Sequence, residues 1–146
     1  MELAFQAQLD EYRRLFQQEP AHFNGHMHKH LCMNMIVGGV IPVGSAVRRS
    51  FTFRRGEKGI FNRFYRRVVN SWLVKRYLST DAFFSLEPSG DLARLRKIMD
   101  LALSSKVELM VHPWKADEFA LLMSDEFRDL IGPLELGVFS CLAISA

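Results

Sequence analysis

Apolar residues at helical spacing mark the predicted helices of this chain. The first helix carries leucine and aromatic residues three or four positions apart, with Gln, Asp, Glu and Arg between them: Leu3, Phe5, Leu9, Tyr12, Leu15 and Phe16. Glu19-Pro20 closes this helix, because the residue before a proline is excluded from helical backbone angles. The same spacing predicts helices over 60–73, over 92–103 after the turn at 88–91, and over 116–130.

Shorter apolar segments between these helices predict strands. They cover residues 21–31, 46–48, 79–86, 107–111 and 134–138, with a short helix or turn at 33–37. The segment Val107–Val111 is mostly apolar, as strands of buried parallel sheets are. Strands that alternate with helices are typical of the α/β class. We therefore expect one α/β domain over residues 1–146.

Composition agrees with an ordinary globular protein. The chain has 146 residues, of which 49% are hydrophobic and 24% charged, enough for a single domain with a core. We expect neither a membrane span nor a signal peptide, because no long apolar run and no basic, apolar start are present. Cys32 and Cys141 are too few and too far apart for a disulfide framework or a zinc ribbon, so a cytoplasmic protein is expected.

The net charge of +3 is unevenly distributed. Residues 48–76 contain ten Lys or Arg residues and one acid, Glu57. Apolar residues repeat at helical spacing within this stretch: Ile60, Phe61, Phe64, Tyr65, Val68, Trp72 and Leu73. The pattern predicts a basic amphipathic helix that could meet phosphate, a lipid surface or a partner helix. The alternative is a helix whose apolar side faces the core and whose basic side is solvated.

Four of the five histidines fall within nine residues. On an extended strand, alternate residues share one face, which would hold His22, Asn24, His26, His28 and His30. Imidazole is a common metal ligand, so this row suggests a divalent-metal site; the alternative is a polar loop. The fifth histidine, His112, directly follows a predicted strand, and ligands of α/β folds bind beyond the carboxyl ends of strands.

Both histidine segments resemble motifs of one family. Asn24-Gly25-His26-Met27-His28-Lys29-His30 resembles the Asp-x-His-x-His-x-His motif of the YdjC-like carbohydrate deacetylases, some of which are associated with hopanoid biosynthesis. Residues 107–113 are similar to the Glu-Leu-Met-x-His-Pro-Gly strand of that family. Segments at 46–48, 62–67, 72–73, 80–86 and 123–127 also resemble it, in the same order.

The resemblance implies metal-dependent removal of acetyl groups from N-acetylated sugars or glycolipid intermediates. A divalent cation, Mg²⁺ or Zn²⁺, would polarise the amide carbonyl and lower the pKa of a bound water. His26 is then the metal ligand, and His28 and His30 orient it or face the substrate. His112 is the catalytic histidine, close to the leaving amine or the developing oxyanion. Arg48 binds substrate or stabilises charge, the alternative being a surface arginine.

The chain also departs from the family pattern. The family has an Asp-Asp-x-Gly motif and a further ligand histidine in its N-terminal part, and this sequence contains neither. The resemblance therefore implies a partial (β/α) barrel-like domain, with mostly parallel strands and flanking helices, that lacks the N-terminal strands and binds metal weakly. Asn24 replaces the family Asp, Lys29 adds a cation, and Trp114 replaces a Gly. Open strand edges would invite a second copy or the missing N-terminal half.

The sequence is compatible with three functions. The chain is a deacetylase, truncated or completed by a separate half. Alternatively, it is an inactive remnant that binds sugar or a protein partner. A third possibility is that the basic helix binds nucleic acid or anionic lipid. The missing aspartates favour the second over the first for this polypeptide alone, and the motif match argues against the third.

Overall fold

The computed structural model describes residues 2–25, 38–52 and 59–145, with side chains to residue 142. The elements, in chain order, are α1 (Glu2–Phe16), α2 (Ile60–Leu73), β1 (Ala82–Ser85), α3 (Leu92–Ala102), β2 (Val107–Met110), α4 (Ala116–Leu122), α5 (Asp125–Ile131) and a 3-10 helix, η1 (Phe139–Ser145). They belong to two compact units, described separately below. The first unit comprises residues 1–50, 61–79 and 138–146, and the second comprises 51–60 and 80–137. A single domain over 1–146 stays a prediction.

The first unit joins α1 and α2 to three short extended segments. Phe23 pairs with Val47, and Ala46 pairs with Leu78, each as an isolated parallel bridge. Where the structure describes the strands predicted at 21–31 and 46–48, they form isolated bridges only. Residues 26–37 lie outside the described part of the chain. A small core of Ile41, Val47, Leu73 and Tyr77 holds the segments together.

Helix α2 turns its apolar side outward over its first turns. Phe61 is 91% exposed and Phe64 65% exposed, whereas Asn70 is buried. The amide oxygen of Asn70 accepts hydrogen bonds from the backbone N–H (3.1 Å) and the hydroxyl (2.8 Å) of Ser50, which is also buried. These bonds hold the polar side of α2 inward, because a buried amide must keep its hydrogen-bond partners. The alternative of a core-facing apolar side with a solvated basic side is therefore wrong for these turns.

The second unit is built on a parallel β-α-β arrangement. β1 and β2 pair in parallel, with Ala82 opposite Val107 and Ser85 opposite Met110. α3 connects them and starts at Asp91, whose carboxylate accepts the backbone N–H of Arg94 at 2.9 Å. β1 is largely buried and β2 is half-buried along its length. Mixed helices and a parallel pair are compatible with the α/β class predicted from the sequence.

Two predicted elements of this unit are wrong. The single helix over 116–130 is two helices, because Ser124 begins α5 by accepting the backbone N–H of Phe127 on its hydroxyl at 3.1 Å. Serine followed by acids is a helix-start signal within the apolar pattern. The strand predicted at 134–138 does not form; Leu136 and Val138 are 76% and 68% exposed, so their apolar pattern reflects no buried face.

Across the described ranges, no helix is long and apolar enough to cross a bilayer.

Candidate functional site

His112 stands just past the carboxyl end of β2. A tight turn follows, in which the backbone N–H of Lys115 donates to the carbonyl of His112 at 2.9 Å, and α4 begins at the next residue. Strand pairing extends to Leu86, whose N–H donates to the carbonyl of Met110, so Glu87 emerges at the same edge. The carboxyl ends of parallel strands meet at one edge of a sheet. The local fold thus gathers side chains from two strand ends and one helix start.

Glu118 of α4 binds His112 through both carboxylate oxygens. Its Oε2 accepts the backbone N–H of His112 at 2.6 Å, and its Oε1 lies 2.9 Å from the ring Nδ1. The Glu118 side chain is completely buried, and that of His112 is 16% exposed. An ionised carboxylate only accepts hydrogen bonds, so Nδ1 carries the donated proton in the neutral ring. The other ring nitrogen, Nε2, is then the one with a lone pair for chemistry.

Lys115 adds a positive charge beside this pair. Its ammonium group forms an ion pair with Glu87 and lies 3.8 Å from Oε1 of Glu118. The hydrogen bond to Glu87 raises the pKa of Lys115. Close by in sequence, the hydroxyl of Ser89 donates to the carboxylate of Asp117 at 2.5 Å and lowers the pKa of Asp117. The strand ends therefore carry a network of paired charges around one histidine.

The same side chains form a candidate metal site. One ligand atom each from Glu87, His112 and Glu118 lies within 4.8 Å of the others. Two carboxylates and an imidazole are suitable donors for a divalent ion. However, the Lys115 ammonium already neutralises Glu87, and Nδ1 of His112 is already bonded to Glu118. As folded, Glu87, His112 and Glu118 form a possible metal-binding group, in which the Lys115 ammonium competes with an ion for the carboxylates.

Trp114 lies against His112 and is open to solvent. The two rings meet edge to face, with centroids 4.9 Å apart at 74°. Trp114 is 77% exposed. The residue that departs from the family motif therefore presents a flat aromatic surface next to the candidate catalytic ring.

Arg48, the other predicted site residue that the structure describes, belongs to the first unit. His26, His28 and His30 lie outside the described residues. Arg48 is half-buried, and its backbone N–H donates to the carbonyl of Phe23 at 3.1 Å within the first unit. A role of Arg48 in substrate binding stays a prediction.

His22, the first member of the histidine row, packs as an aromatic ring. It stacks on Phe139 with ring centroids 4.1 Å apart and an interplanar angle of 9°. Burial lowers the pKa of His22, and the positive charge of Arg48 lowers it further. Its described surroundings favour the neutral ring over the imidazolium ion.

Sequence reasoning identified His112 and missed the side chains that hold it. Glu118 lies six residues after His112, at the start of a predicted helix, and Glu87 directly follows a predicted strand. A carboxylate in the helix that follows a strand-end histidine was the available signal. That signal is weak, because only the tightness of the 112–115 turn decides whether the carboxylate reaches the ring.

Comparison with known proteins identifies the family. No curated protein and no solved structure matches the chain significantly. A family model described as YdjC-like protein matches residues 1–132 of the 146. The match includes both histidine segments and the Glu87–His112–Glu118 cluster, and the family is associated with carbohydrate deacetylase-like function. The chain therefore belongs to the YdjC-like protein family.

Proposed function

We propose that this chain is a metal-dependent hydrolase that removes acetyl groups from N-acetylated sugars or glycolipid intermediates. Membership of the YdjC-like family supports the reaction class. The observation that carries the proposal is the buried Glu118 carboxylate, which fixes the ring of His112 at the carboxyl end of β2. Proton transfer to a leaving group requires a histidine whose ring is held in place and whose Nε2 carries the proton to be donated.

His112 acts as the general acid in this proposal. A water oxygen bonds to the amide carbonyl carbon, its two protons pass to bulk water, and the carbon–nitrogen bond breaks as acetate forms. The leaving nitrogen takes a proton from Nε2 of His112 and departs as the free amine of the sugar. Glu118 accepts the hydrogen bond of the Nδ1–H before and after this step and keeps the ring in place. After the step, the neutral ring keeps its Nδ1 proton on the Glu118 side.

The metal is assigned to the histidine row. We propose that His26 holds a divalent ion, Mg²⁺ or Zn²⁺, with weak affinity, and that His28 and His30 orient His26 or face the substrate. Such an ion supplies polarisation of the carbonyl and activation of water. Arg48 contributes positive charge for the substrate or the developing oxyanion. The Glu87–His112–Glu118 group is not part of this proposed site, because the Lys115 ammonium competes with an ion for its carboxylates.

The test measures acetate release from N-acetylated chito-oligosaccharides by the purified chain, with Zn²⁺ or Mg²⁺ added. His112→Gln should reduce the rate about 100-fold or more, the usual contribution of a general acid. Glu126→Gln is the control, since that carboxylate pairs with Arg96 at the surface. His26→Ala should abolish metal binding in a parallel titration. Unchanged zinc affinity in that variant, or an unchanged rate in His112→Gln, would contradict the assignment.

A second candidate function is sugar binding without turnover. It is favoured by Trp114, whose exposed ring beside His112 offers a stacking surface. The absence of an Asp-Asp pair from the sequence favours it as well. The same oligosaccharides would then bind without releasing acetate. Trp114→Gly, which restores the residue of the family motif, would weaken that binding. Acetate release at a metal-dependent rate would reject this candidate.

The remaining predictions about context stay proposals. We propose a cytoplasmic location, a truncated relationship to the family, and either self-association or a separate N-terminal half as a partner. Nucleic-acid binding is disfavoured, because the family membership accounts for the chain without it. A strongly salt-dependent affinity for DNA or RNA would revive it.

A further inference from the structure

The outward side of helix α2 is apolar. Large apolar side chains are exposed along it and just past its end: Phe61 (91%), Phe64 (65%), Tyr65 (59%), Val68 (51%) and Val74 (52%). The first four follow the spacing i, i+3, i+4, i+7, so they form one line along the helix. The bonds between Asn70 and Ser50 keep the opposite side of α2 inward, so this line stays in solvent in the folded unit.

Every charged residue in the same stretch is basic. Arg67 lies one turn from Phe64, and Lys75 directly follows Val74; these two side chains and Arg76 are exposed. Within the described ranges, no carboxylate forms an ion pair with any of the three. Residues 59–78 contain no Asp or Glu and five basic residues: Arg63, Arg66, Arg67, Lys75 and Arg76. The apolar line is therefore accompanied by a positive charge that the stretch itself does not neutralise.

An anionic lipid surface matches both features, and a second copy of the helix does not. Two copies of α2 in contact would bring like charges together, which is unfavourable. A membrane with anionic headgroups attracts Lys and Arg, and its acyl boundary takes up apolar side chains. With 14 residues, α2 is shorter than the roughly 20 that a membrane-spanning helix needs, so it would lie along the surface.

The aliphatic part of the line favours lipid over nucleic acid. The bases of a single strand stack on aromatic rings, and its phosphates bind basic side chains. Val68 and Val74 can do neither, yet both are exposed beside the aromatic residues. Burial of apolar surface is non-directional, so acyl chains take up aromatic and aliphatic side chains alike. We propose that the exposed side of α2, from Phe61 to Arg76, binds an anionic lipid surface, independently of the hydrolase proposal.

The test is co-sedimentation of the purified full chain with vesicles of phosphatidylcholine, and with vesicles of phosphatidylcholine mixed with phosphatidylserine, at low and at high salt. Each Lys or Arg near an anionic surface raises the partition coefficient about fivefold. We therefore expect binding to the mixed vesicles to be about tenfold or more stronger than binding to phosphatidylcholine alone. High salt should weaken it, because salt screens the attraction.

Phe61→Ser and Phe64→Ser should each lower the partition coefficient about tenfold, because the side chain that enters the acyl boundary is lost. Leu3→Ser, on the 88% exposed Leu3 of α1, is the matched control and should bind as wild type does. Arg67→Gln should lower binding to the mixed vesicles about fivefold and leave binding to phosphatidylcholine unchanged. Its matched control is Lys97→Gln, at an exposed lysine of α3.

Circular dichroism establishes that each variant is folded, and Phe61→Ala serves as a milder variant if a serine disturbs the helix. A folded wild-type chain that does not bind the mixed vesicles would overturn the proposal. So would vesicle binding that both phenylalanine variants leave intact, or equal binding to the two kinds of vesicle. Salt-sensitive binding to single-stranded RNA by a chain that ignores vesicles would overturn it in favour of nucleic acid.

Discussion

The carboxylate of Glu118 contacts two groups of His112: the backbone N–H at 2.6 Å and the ring Nδ1 at 2.9 Å. One buried group therefore fixes both the position of the residue and the orientation of the imidazole. The contact spans the turn between β2 and α4, so the end of the strand and the start of the helix are joined at the candidate catalytic residue. The folded unit and the site depend on the same carboxylate.

Replacing Glu118 with Gln should lower the free energy of unfolding. The amide keeps the shape but turns one acceptor into a donor, which then faces an N–H of His112. Loss of a buried hydrogen bond to a charged group typically costs about 1.5–3 kcal/mol. Urea unfolding measures this, with Glu126→Gln as the surface control at less than about 0.5 kcal/mol. A Glu118→Gln chain as stable as the control would show that the contact is not held in solution.

The Lys115 ammonium should keep divalent ions out of the Glu87–His112–Glu118 group. Lys115→Met removes the positive charge between two carboxylates, and we expect zinc affinity to rise about tenfold or more. The measurement is a zinc titration in the His26→Ala background, which removes the proposed site in the histidine row. Lys97→Met, an exposed lysine of α3, is the matched control. Equal zinc affinity in both methionine variants would contradict the role of Lys115.

His22 should make stability depend on pH. Its folded pKa lies below the ordinary value of 6.5, first because it is buried and then because of Arg48. As pH falls through about 6.5, the unfolded chain takes up a proton that the folded chain resists, so the free energy of unfolding falls. The loss levels off below the folded pKa. In His22→Gln the pH dependence of urea unfolding should be shallower than in wild type between pH 7 and 5. Parallel curves for the two proteins would exclude the effect.

Ser124 should contribute to stability as the start of α5. Its hydroxyl accepts the N–H of Phe127, which is itself buried in the core of the second unit. Ser124→Ala should cost about 1 kcal/mol in free energy of unfolding, the usual effect of removing such a cap. Ser104→Ala is a suitable control, because the Ser104 hydroxyl is exposed and its contact to Leu101 is long, at 3.5 Å. Equal unfolding midpoints for the two variants would contradict the assignment.

The sequence by itself determined where most elements lie and which residue ends β2. Helical spacing located α1, α2 and α3, and the apolar segments at 79–86 and 107–111 located the parallel pair, because these patterns reflect local backbone geometry. His112 was found for the same reason, as a polar residue directly after a strand. Family membership was also in the sequence, since motif order along the chain needs no coordinates.

Only the tertiary structure decided which faces are buried and which side chains meet. The side of α2 that turns inward depends on Ser50, twenty residues away, and the periodicity of α2 carries no information about that partner. Glu118 reaches His112 because the chain turns tightly at 112–115, and Lys115 reaches Glu87 because β1 and β2 end at one edge. Such contacts depend on how the chain turns and packs, and their energies depend on burial, which a linear pattern does not specify.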